Sequence, residues 1–241
     1  RVLLGDRYVD DIYQERRDAA FLVAVNCTEP GGTCFCASMG TGPGACGGYD
    51  ILLTELPEPS RHVLVAEAGS ARGRELLAGL GAAEAPAEVC AAAAAALERA
   101  AGAMGRSVDT TGIKELLYES FEHPRWDHTA ARCMTCGNCT QVCPTCFCIT
   151  VEDSSDIEQK QAERLRRWDS CFTQSFSYIH GGSVRLSPKS RYRQWLTHKF
   201  AAWWDQFGSS GCVGCGRCIT WCPAGIDVTE ELAALRPAAK L

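Results

Sequence analysis

The sequence predicts an α+β fold in two parts: a mixed α/β domain over residues 1–124 and a second α+β domain over residues 125–241. Three observations predict this division. Short apolar runs alternate with Ala- and Leu-rich segments in the first part. Two matching cysteine runs lie in the second part. Between them, a helical pattern ends before His123-Pro124, and because the residue before a proline disfavours the helical conformation, the boundary is placed there.

The first part opens with a helix, a buried strand and a loop. The helix is predicted near Asp6 to Arg17, and the apolar run Phe21 to Val25 predicts the strand. A glycine-rich loop follows over residues 27–48. Two strand-like runs, Tyr49 to Leu56 and His62 to Ala66, flank a Pro-Glu-Pro-Ser turn and predict a hairpin.

The remaining elements are mostly helical. Residues 71–104 are rich in Ala, Leu and Glu and predict one or two helices broken near Gly81 and Pro86. A further helix is predicted from the Asp109-Thr-Thr cap to Glu122. In the second part, we expect helices near 156–167 and 190–206 and a closing helix after Asp227.

The two cysteine runs share one spacing, C-x2-C-x2-C-x3-C-P. They are Cys133, Cys136, Cys139 and Cys143 before Pro144, and Cys212, Cys215, Cys218 and Cys222 before Pro223. This is the ligand run of bacterial [4Fe–4S] ferredoxins, in which the fourth cysteine of each run ligates the other cluster. The predicted sets are Cys133, Cys136, Cys139 and Cys222 for one cluster, and Cys212, Cys215, Cys218 and Cys143 for the other. Residues 125–241 are therefore expected to form a ferredoxin-like dicluster domain with a helical insert.

Zinc and disulfides are the alternative uses of these thiols. Zinc sites usually pair two separate C-x2-C knuckles, and a third cysteine at the same interval followed by C-P does not fit that arrangement. Disulfides are typical of short secreted chains, and cysteines this close in sequence pair awkwardly. Gly137 and Gly216 inside the runs favour a cluster, because glycine lets the backbone approach inorganic sulfide closely.

Composition bounds the environment and the partners. Sixteen cysteines with cluster motifs indicate a reducing compartment, most simply the cytoplasm. No apolar run is long enough to span a membrane, and no signal peptide is visible.

The net charge of −5 hides a basic stretch at 158–200, with nine Lys and Arg against three Asp and Glu, which could offset cluster charge or dock an acidic partner. Nucleic-acid binding is disfavoured, because the basic residues form no known motif. Because the chain begins at an arginine, we expect it to be part of a longer protein.

Eight further cysteines lie outside the two runs. Cys27, Cys34, Cys36 and Cys46 share the glycine-rich loop and could hold a third cluster or a zinc ion. Cys146, Cys148 and Cys171 lie near the runs and are either ligands or small buried residues. Cys90 has no assigned role.

A nucleotide site is a further alternative, because Gly42-Pro-Gly44-Ala-Cys-Gly47 satisfies G-x-G-x-x-G. However, this run neither directly follows a strand nor opens a helix, as a Rossmann fold requires. No serine–histidine–aspartate order, paired carboxylate motif or P-loop is present. We therefore predict no catalytic residues.

Several motifs together resemble a known family. They are Asn26-Cys27, Thr33-Cys-Phe-Cys36, Leu53-Thr-Glu-Leu56, His123-Pro-x-Trp126, Cys143-Pro-Thr-Cys-x-Cys148, Arg167-Trp-Asp-Ser-Cys171 and His180-Gly-Gly182. With the second cluster run, this set resembles the iron–sulfur β subunit of cytoplasmic NAD(P)-linked [NiFe] hydrogenases, the sulfhydrogenases. The related iron–sulfur subunit of anaerobic sulfite reductase has a similar layout. The resemblance extends over essentially the whole sequence.

The resemblance implies an electron-transfer subunit of a hetero-oligomer. Its partners would be the small and large subunits of a [NiFe] hydrogenase and a subunit that binds FAD and NAD(P). In that family a further N-terminal stretch carries a cysteine in a Cys-Asp pair. Such a residue could complete a third iron–sulfur cluster with Cys27, Cys34 and Cys36, whereas Cys46 lies outside the family pattern. The alternative within the class is the sulfite reductase subunit, which would pass electrons to a sirohaem partner.

Overall fold

A computed structural model describes residues 2–5, 7–57 and 61–236. The helices and strands divide between two compact units, Arg1–Ser107 and Val108–Leu241. The first unit contains α1 (Asp11–Ala19), β1 (Val23–Val25), β2 (Ile51–Pro57), β3 (His62–Ala68), α2 (Ala71–Gly79) and α3 (Ala87–Gly102). The second contains α4 (Ile113–Glu119), α5 (Arg125–Arg132), α6 (Asn138–Gln141), β4 (Ile149–Ser155), β5 (Ala162–Trp168), β6 (Tyr178–Ile179), β7 (Gly182–Ser183), α7 (Pro188–Thr197), a π-helical segment (His198–Ala202), α8 (Trp203–Phe207), α9 (Arg217–Thr220) and α10 (Val228–Leu235).

The sheet of the first unit has the order β1-β2-β3, with β1 parallel to β2 and β2 antiparallel to β3. The predicted hairpin is confirmed, with Pro57 opposite His62 at its closed end. Residues 58–60 of the predicted turn lie outside the described residues. Helix α3 packs on β2 with Ala93, Ala96 and Ala100, whose spacing places them on one helix face. Their small side chains let the helix lie close to the sheet.

Two predictions about the start of the chain need correction. The first helix begins at Asp11, because the Asp10 side chain caps it by accepting a hydrogen bond from the Tyr13 N–H at 2.9 Å. Asp6, where that helix was predicted to start, lies outside the described residues. The strand predicted as buried, Phe21 to Val25, is only three residues long, and Val23 and Val25 are exposed. Within the described sheet β1 is an edge strand, so its apolar run does not enter the core.

The predicted helix break in residues 71–104 is confirmed. Helix α2 ends at Gly79, and Gly81 follows in the left-handed region at φ +63°. Pro86 then stands directly before the first residue of α3, a position that proline tolerates because its missing N–H has no helical partner to lose.

Helix α4 belongs to the second unit, where it packs with α7 and the π-helical segment. It ends at Glu119, three residues before its predicted end at Glu122. The predicted boundary at residues 124 and 125 would place α4 in the first unit instead. Asp109 accepts a hydrogen bond from the Thr111 N–H at 2.9 Å in the turn that leads into this helix.

The helix predicted near 156–167 is wrong, because strands β4 and β5 form an antiparallel hairpin there. The Asp156 carboxylate holds its turn by accepting a hydrogen bond from the Lys160 N–H at 2.7 Å. Asp153 lies opposite Arg164, and their side chains form a two-bond ion pair across the strands. Helix propensity of the Glu, Gln, Lys and Arg residues suggested a helix, but strand pairing overrides this weak preference.

The other two helices predicted in the second part are confirmed. The helix near 190–206 is present as α7, the π-helical segment and α8 in succession, and Ser187 caps its start. The closing helix is α10, and Asp227 caps it by accepting a hydrogen bond from the Thr229 N–H at 2.9 Å. An aromatic cluster of Trp126, Phe172, Tyr192 and Trp195 forms the core between α5 and α7.

Candidate metal centre

The two cysteine runs adopt the same local structure. In each run the residue before the second cysteine, Thr135 or Gly214, lies in the left-handed region. The glycine after the second cysteine, Gly137 or Gly216, is also left-handed and begins a four-residue helix that carries the third cysteine. A side chain would be strained at these glycines, which explains the glycine in both copies. The sequence repeat is therefore a repeat in structure, and α6 and α9 pack against each other.

The fold brings the end of each run next to the start of the other. Burial raises the pKa of Cys133, and the Cys222 thiol beside it raises it further. Burial also raises the pKa of Cys212 to about 11, and Cys143 is among the neighbours that add to this rise. These are the pairs that the crossed ligand sets require. The ligand assignment stays a prediction, and this proximity supports it.

The third cysteines of the two runs, Cys139 of the first set and Cys218 of the second, line the same cavity. Burial raises the pKa of Cys139, and Cys218 is the neighbouring thiol that contributes most to the rise. Burial likewise raises the pKa of Cys218 to about 12, with Cys212 and Cys143 contributing next. Thiols that are buried together in this way ionise readily only when a metal takes up the charge.

A cavity adjoins the first set, and its lining residues fit an iron–sulfur cluster. Cys133, Cys136, Cys139 and Cys222 line it together with Tyr192 and Trp195. The Tyr192 hydroxyl and the Trp195 indole N–H are buried and have no hydrogen-bond partner among the described residues. Buried donors of this kind normally require an acceptor. The thiolates and sulfides of a cluster would supply one, so the residues present fit this group.

Backbone and side-chain donors also reach the ligand sulfurs directly. The Gly214 N–H donates to the Cys212 Sγ at 3.4 Å, and the Ile226 N–H donates to the Cys222 Sγ at 3.3 Å. The Lys199 ammonium donates to the Cys143 Sγ at 3.1 Å. Such donors stabilise the charge on sulfur and are typical of the surroundings of iron–sulfur clusters.

Lys199, Tyr192 and Trp195 were not identified from the sequence. Lys199 is one of several basic residues in the insert, and the two aromatic residues belong to no motif. Only the fold shows that α7 and the π-helical segment carry them to the cysteines. Burial lowers the pKa of Lys199, but the sulfurs of Cys143, Cys146 and Cys212 outweigh it, so the pKa of the ammonium group is raised.

Three of the remaining cysteines gather beside the second set. A hydrogen bond from Cys146 lowers the pKa of Cys143, and a hydrogen bond from Cys171 lowers the pKa of Cys148. Cys146 and Cys148 line a second cavity with Cys143. These thiols are therefore part of the sulfur-rich interior and not isolated packing residues.

The glycine-rich loop brings three of its four cysteines together. Burial raises the pKa of Cys36, and the neighbouring thiols of Cys34 and Cys27 raise it further. Phe35 between Cys34 and Cys36 is fully buried, so the C-x-C pair can present both sulfurs on the other side. Cys46 lies near Tyr49 instead. A third cluster at this loop stays a prediction.

Two other observations bear on the alternatives. Within residues 2–5, 7–57 and 61–236, no three His, Cys, Asp or Glu side chains converge as ligands of a single metal ion. A zinc ion needs its sulfurs about 2.3 Å from one centre, whereas a cluster holds its thiolates apart on separate irons. The Gly42–Gly47 run leads into strand β2 and opens no helix, so it lacks the helix N-terminus of a dinucleotide site.

Comparison with known proteins shows what the chain is similar to. Residues 132–226 match the family described as a 4Fe-4S dicluster domain. The chain is 34% identical over 245 residues to sulfhydrogenase 2 subunit beta of Pyrococcus furiosus. It is a homologue of the sulfhydrogenase β subunit. The match covers 94% of this chain and 66% of that subunit, so the chain spans just under two thirds of the length of its relative.

The comparisons confirm the predicted resemblance and the two [4Fe–4S] clusters. They also support the second part of the predicted fold class, because the dicluster domain follows, in sequence order, the part of the chain that forms the mixed sheet. No solved structure matches the chain. None of the helices in the described ranges combines the length and the apolar character needed to cross a membrane.

Proposed function

We propose that this chain is the electron-transfer subunit of a cytoplasmic hydrogenase complex. It would relay electrons between a [NiFe] hydrogenase module and a subunit that binds FAD and NAD(P). One observation carries the proposal: Cys139 and Cys218, the predicted third ligands of two different clusters, line the same cavity, and the short helices that carry them, α6 and α9, pack against each other. Each [4Fe–4S] cluster supplies one-electron chemistry when bound, and with these ligands the two centres would lie side by side.

The residues of the chain have supporting roles in this function. Cys133, Cys136, Cys139 and Cys222 would hold one centre, and Cys212, Cys215, Cys218 and Cys143 the other. Phe172, Tyr192 and Trp195 would exclude water from the first centre, because their buried rings line its cavity. Desolvation strengthens electrostatic interactions at the site. No residue of the chain is assigned a bond-making role.

The test combines the purified chain with its partner subunits under anaerobic conditions. We expect the isolated chain to show neither hydrogen uptake nor NAD(P)+ reduction, and the assembled complex to show both. A complex carrying Cys139→Ala should lose hydrogen-dependent NAD(P)+ reduction. Cys90→Ala is the control, because Cys90 is exposed on α3 and belongs to neither run.

Three results would contradict the proposal. Turnover by the isolated chain with hydrogen or a nicotinamide would make it an enzyme in its own right. Full activity of the Cys139→Ala complex would show that electrons bypass the chain. Assembly with a sirohaem subunit and electron delivery to sulfite would identify it as a sulfite reductase subunit instead.

A further inference from the structure

Lys199 is a buried cation in direct contact with a candidate ligand. It lies in the π-helical segment between α7 and α8, and only 4% of its surface is exposed. Its ammonium donates to the Gly211 carbonyl at 2.9 Å, to the Thr145 Oγ1 at 3.0 Å and to the Cys143 Sγ at 3.1 Å. A longer contact of 3.7 Å reaches the Cys146 Sγ, so four acceptors share the three N–H donors of the lysine. π-helical segments of this kind are frequent at functional sites.

The surroundings of Lys199 join both cysteine runs. Cys143 ends the first run, and Gly211 directly precedes Cys212, the first ligand of the second run. The Gly211 N–H also donates back to the Lys199 carbonyl at 2.7 Å. No carboxylate is among the partners of Lys199 within the described part of the chain. A buried ammonium needs a counter-charge. The sulfurs in contact with it are those of Cys143, a predicted ligand of the second set, and of Cys146.

The first set has a different environment. The polar side chains other than cysteine that line its cavity, Asn138, Tyr192 and Trp195, carry neutral donors. The buried Arg191 donates its Nη atoms to the carbonyls of Phe172 and Leu186, at 2.8 and 3.2 Å. Its Nε–H has no partner among the described residues, and its charge offsets part of the rise that burial gives the pKa of Cys133. Arg132, which directly precedes this set, is paired with the Glu231 carboxylate. Among the described residues, the charged donor that is hydrogen-bonded directly to a predicted ligand sulfur, Lys199 on Cys143, belongs to the second set.

We propose that Lys199 makes the two clusters unequal, giving the cluster held by Cys143, Cys212, Cys215 and Cys218 the higher reduction potential. This inference rests on the proposed function, because it assumes that both clusters are present. Electrons then move toward the Lys199 side of the pair. In that step the cluster of the first set is oxidised by one electron and the cluster of the second set is reduced by one, with no bond or proton transferred.

The physical reason is the charge that reduction adds. Each one-electron reduction makes a cluster more negative, so a fixed positive charge in contact with one ligand sulfur stabilises the reduced form of that cluster. The interaction falls with distance and is strengthened by the low dielectric of a buried site. Hydrogen bonds to the sulfurs and nearby charge are recognised controls of cluster potential.

The first experiment uses the unmodified full chain labelled with 15N-lysine and purified anaerobically. The sample is poised so that only the cluster of higher potential is reduced, and pulsed EPR records the coupling of 15N nuclei to its spin. We expect a lysine nitrogen coupling at this stage. A coupling that appears only when the second cluster is reduced would reverse the predicted order, and the absence of any coupling at both stages would refute the contact.

The second experiment measures both midpoint potentials in variants by EPR-monitored redox titration. Lys199→Met removes the charge and the donors, whereas Lys199→Gln keeps an N–H donor without the charge. Each should lower one potential so that the equilibrium for electron transfer between the clusters falls at least tenfold, which corresponds to about 59 mV for one electron. Lys189→Met is the control, because Lys189 lies on α7, which leads into the π-helical segment, but pairs with Asp127 at the surface.

Iron content separates failure of this inference from failure of the proposed function. A wild-type chain that binds no cluster pair would remove the proposed function itself. Variants that retain both clusters with unchanged potentials would overturn the role of Lys199 alone. If the variants lose iron, the 15N measurement on the unmodified chain still decides the question.

Discussion

Replacing Glu231 tests how the fold holds the first cysteine run. Its carboxylate is 1% exposed and accepts four hydrogen bonds. Two come from Arg125 at 2.6 and 3.0 Å, one from Arg132 at 3.0 Å and one from the Thr129 hydroxyl at 2.6 Å. All three donors lie on α5, which ends directly before Cys133. The network therefore ties α10 to the helix that positions the first predicted ligand.

The expected cost of Glu231→Gln follows from these bonds. Hydrogen bonds to charged groups contribute about 1.5–3 kcal/mol and neutral ones about 0.5–1.5 kcal/mol. Glutamine offers one acceptor oxygen in place of two, and its NH2 group only donates, so two of the four bonds lose their acceptor at about 1.5 kcal/mol each. Arg125 and Arg132 are partly exposed, so solvent screening reduces the total to roughly 2–3 kcal/mol. A loss of this size lowers the melting temperature of a chain of this length by about 4–12 °C.

The assay is thermal melting of the full chain with its clusters, followed anaerobically by circular dichroism and by cluster absorbance. Glu230→Gln is the matched control, because Glu230 neighbours Glu231 on α10 but is exposed. The control should melt like the wild type, whereas Glu231→Gln should melt earlier by both signals. If the two variants melt within about 2 °C of each other, the buried carboxylate does not hold α5 in the way described.

Two further predictions concern the loop cysteines and the half-buried His198. Iron analysis of the full-length protein should give about twelve irons, four per cluster, falling by about four in Cys34→Ala; about eight in the unmodified protein would remove the third cluster. Burial lowers the pKa of His198, so its protonation favours the unfolded state. Stability should therefore fall as the pH drops below the usual histidine value of about 6.5, and less so in His198→Gln. Equal pH profiles of the melting temperature for wild type and variant would contradict this.

Much of the candidate site could be predicted from the sequence, because ligand spacing is a local property. The two cysteine runs, with the glycine after each second cysteine, are short sequence motifs, and the left-handed backbone conformation of these glycines is the same in both copies. Two helix boundaries could also be predicted. The Asp227 carboxylate caps the start of α10, and Pro86 precedes the start of α3, so each acts on residues close to it in sequence. Such features need no knowledge of the rest of the fold.

Other features depend on contacts distant in sequence. Strand β5 has the composition of a helix, and only its pairing with β4 decides its conformation. Lys199 meets Cys143 across 56 positions, and Glu231 meets Arg125 across 106. Nothing in the local sequence of either residue indicates these partners, so the buried charges around the candidate site became visible only in the fold.

The central claim is that two [4Fe–4S] clusters lie side by side with crossed fourth ligands. The measurement that tests it most directly is a crystal structure of the anaerobically purified protein with anomalous data at the iron edge. We expect two four-iron groups within residues 132–226, with the Cys143 sulfur bound to the group held by Cys212, Cys215 and Cys218, and the Cys222 sulfur bound with Cys133. Cys143 bound to the same group as Cys133, or a single metal ion in place of either group, would contradict the account.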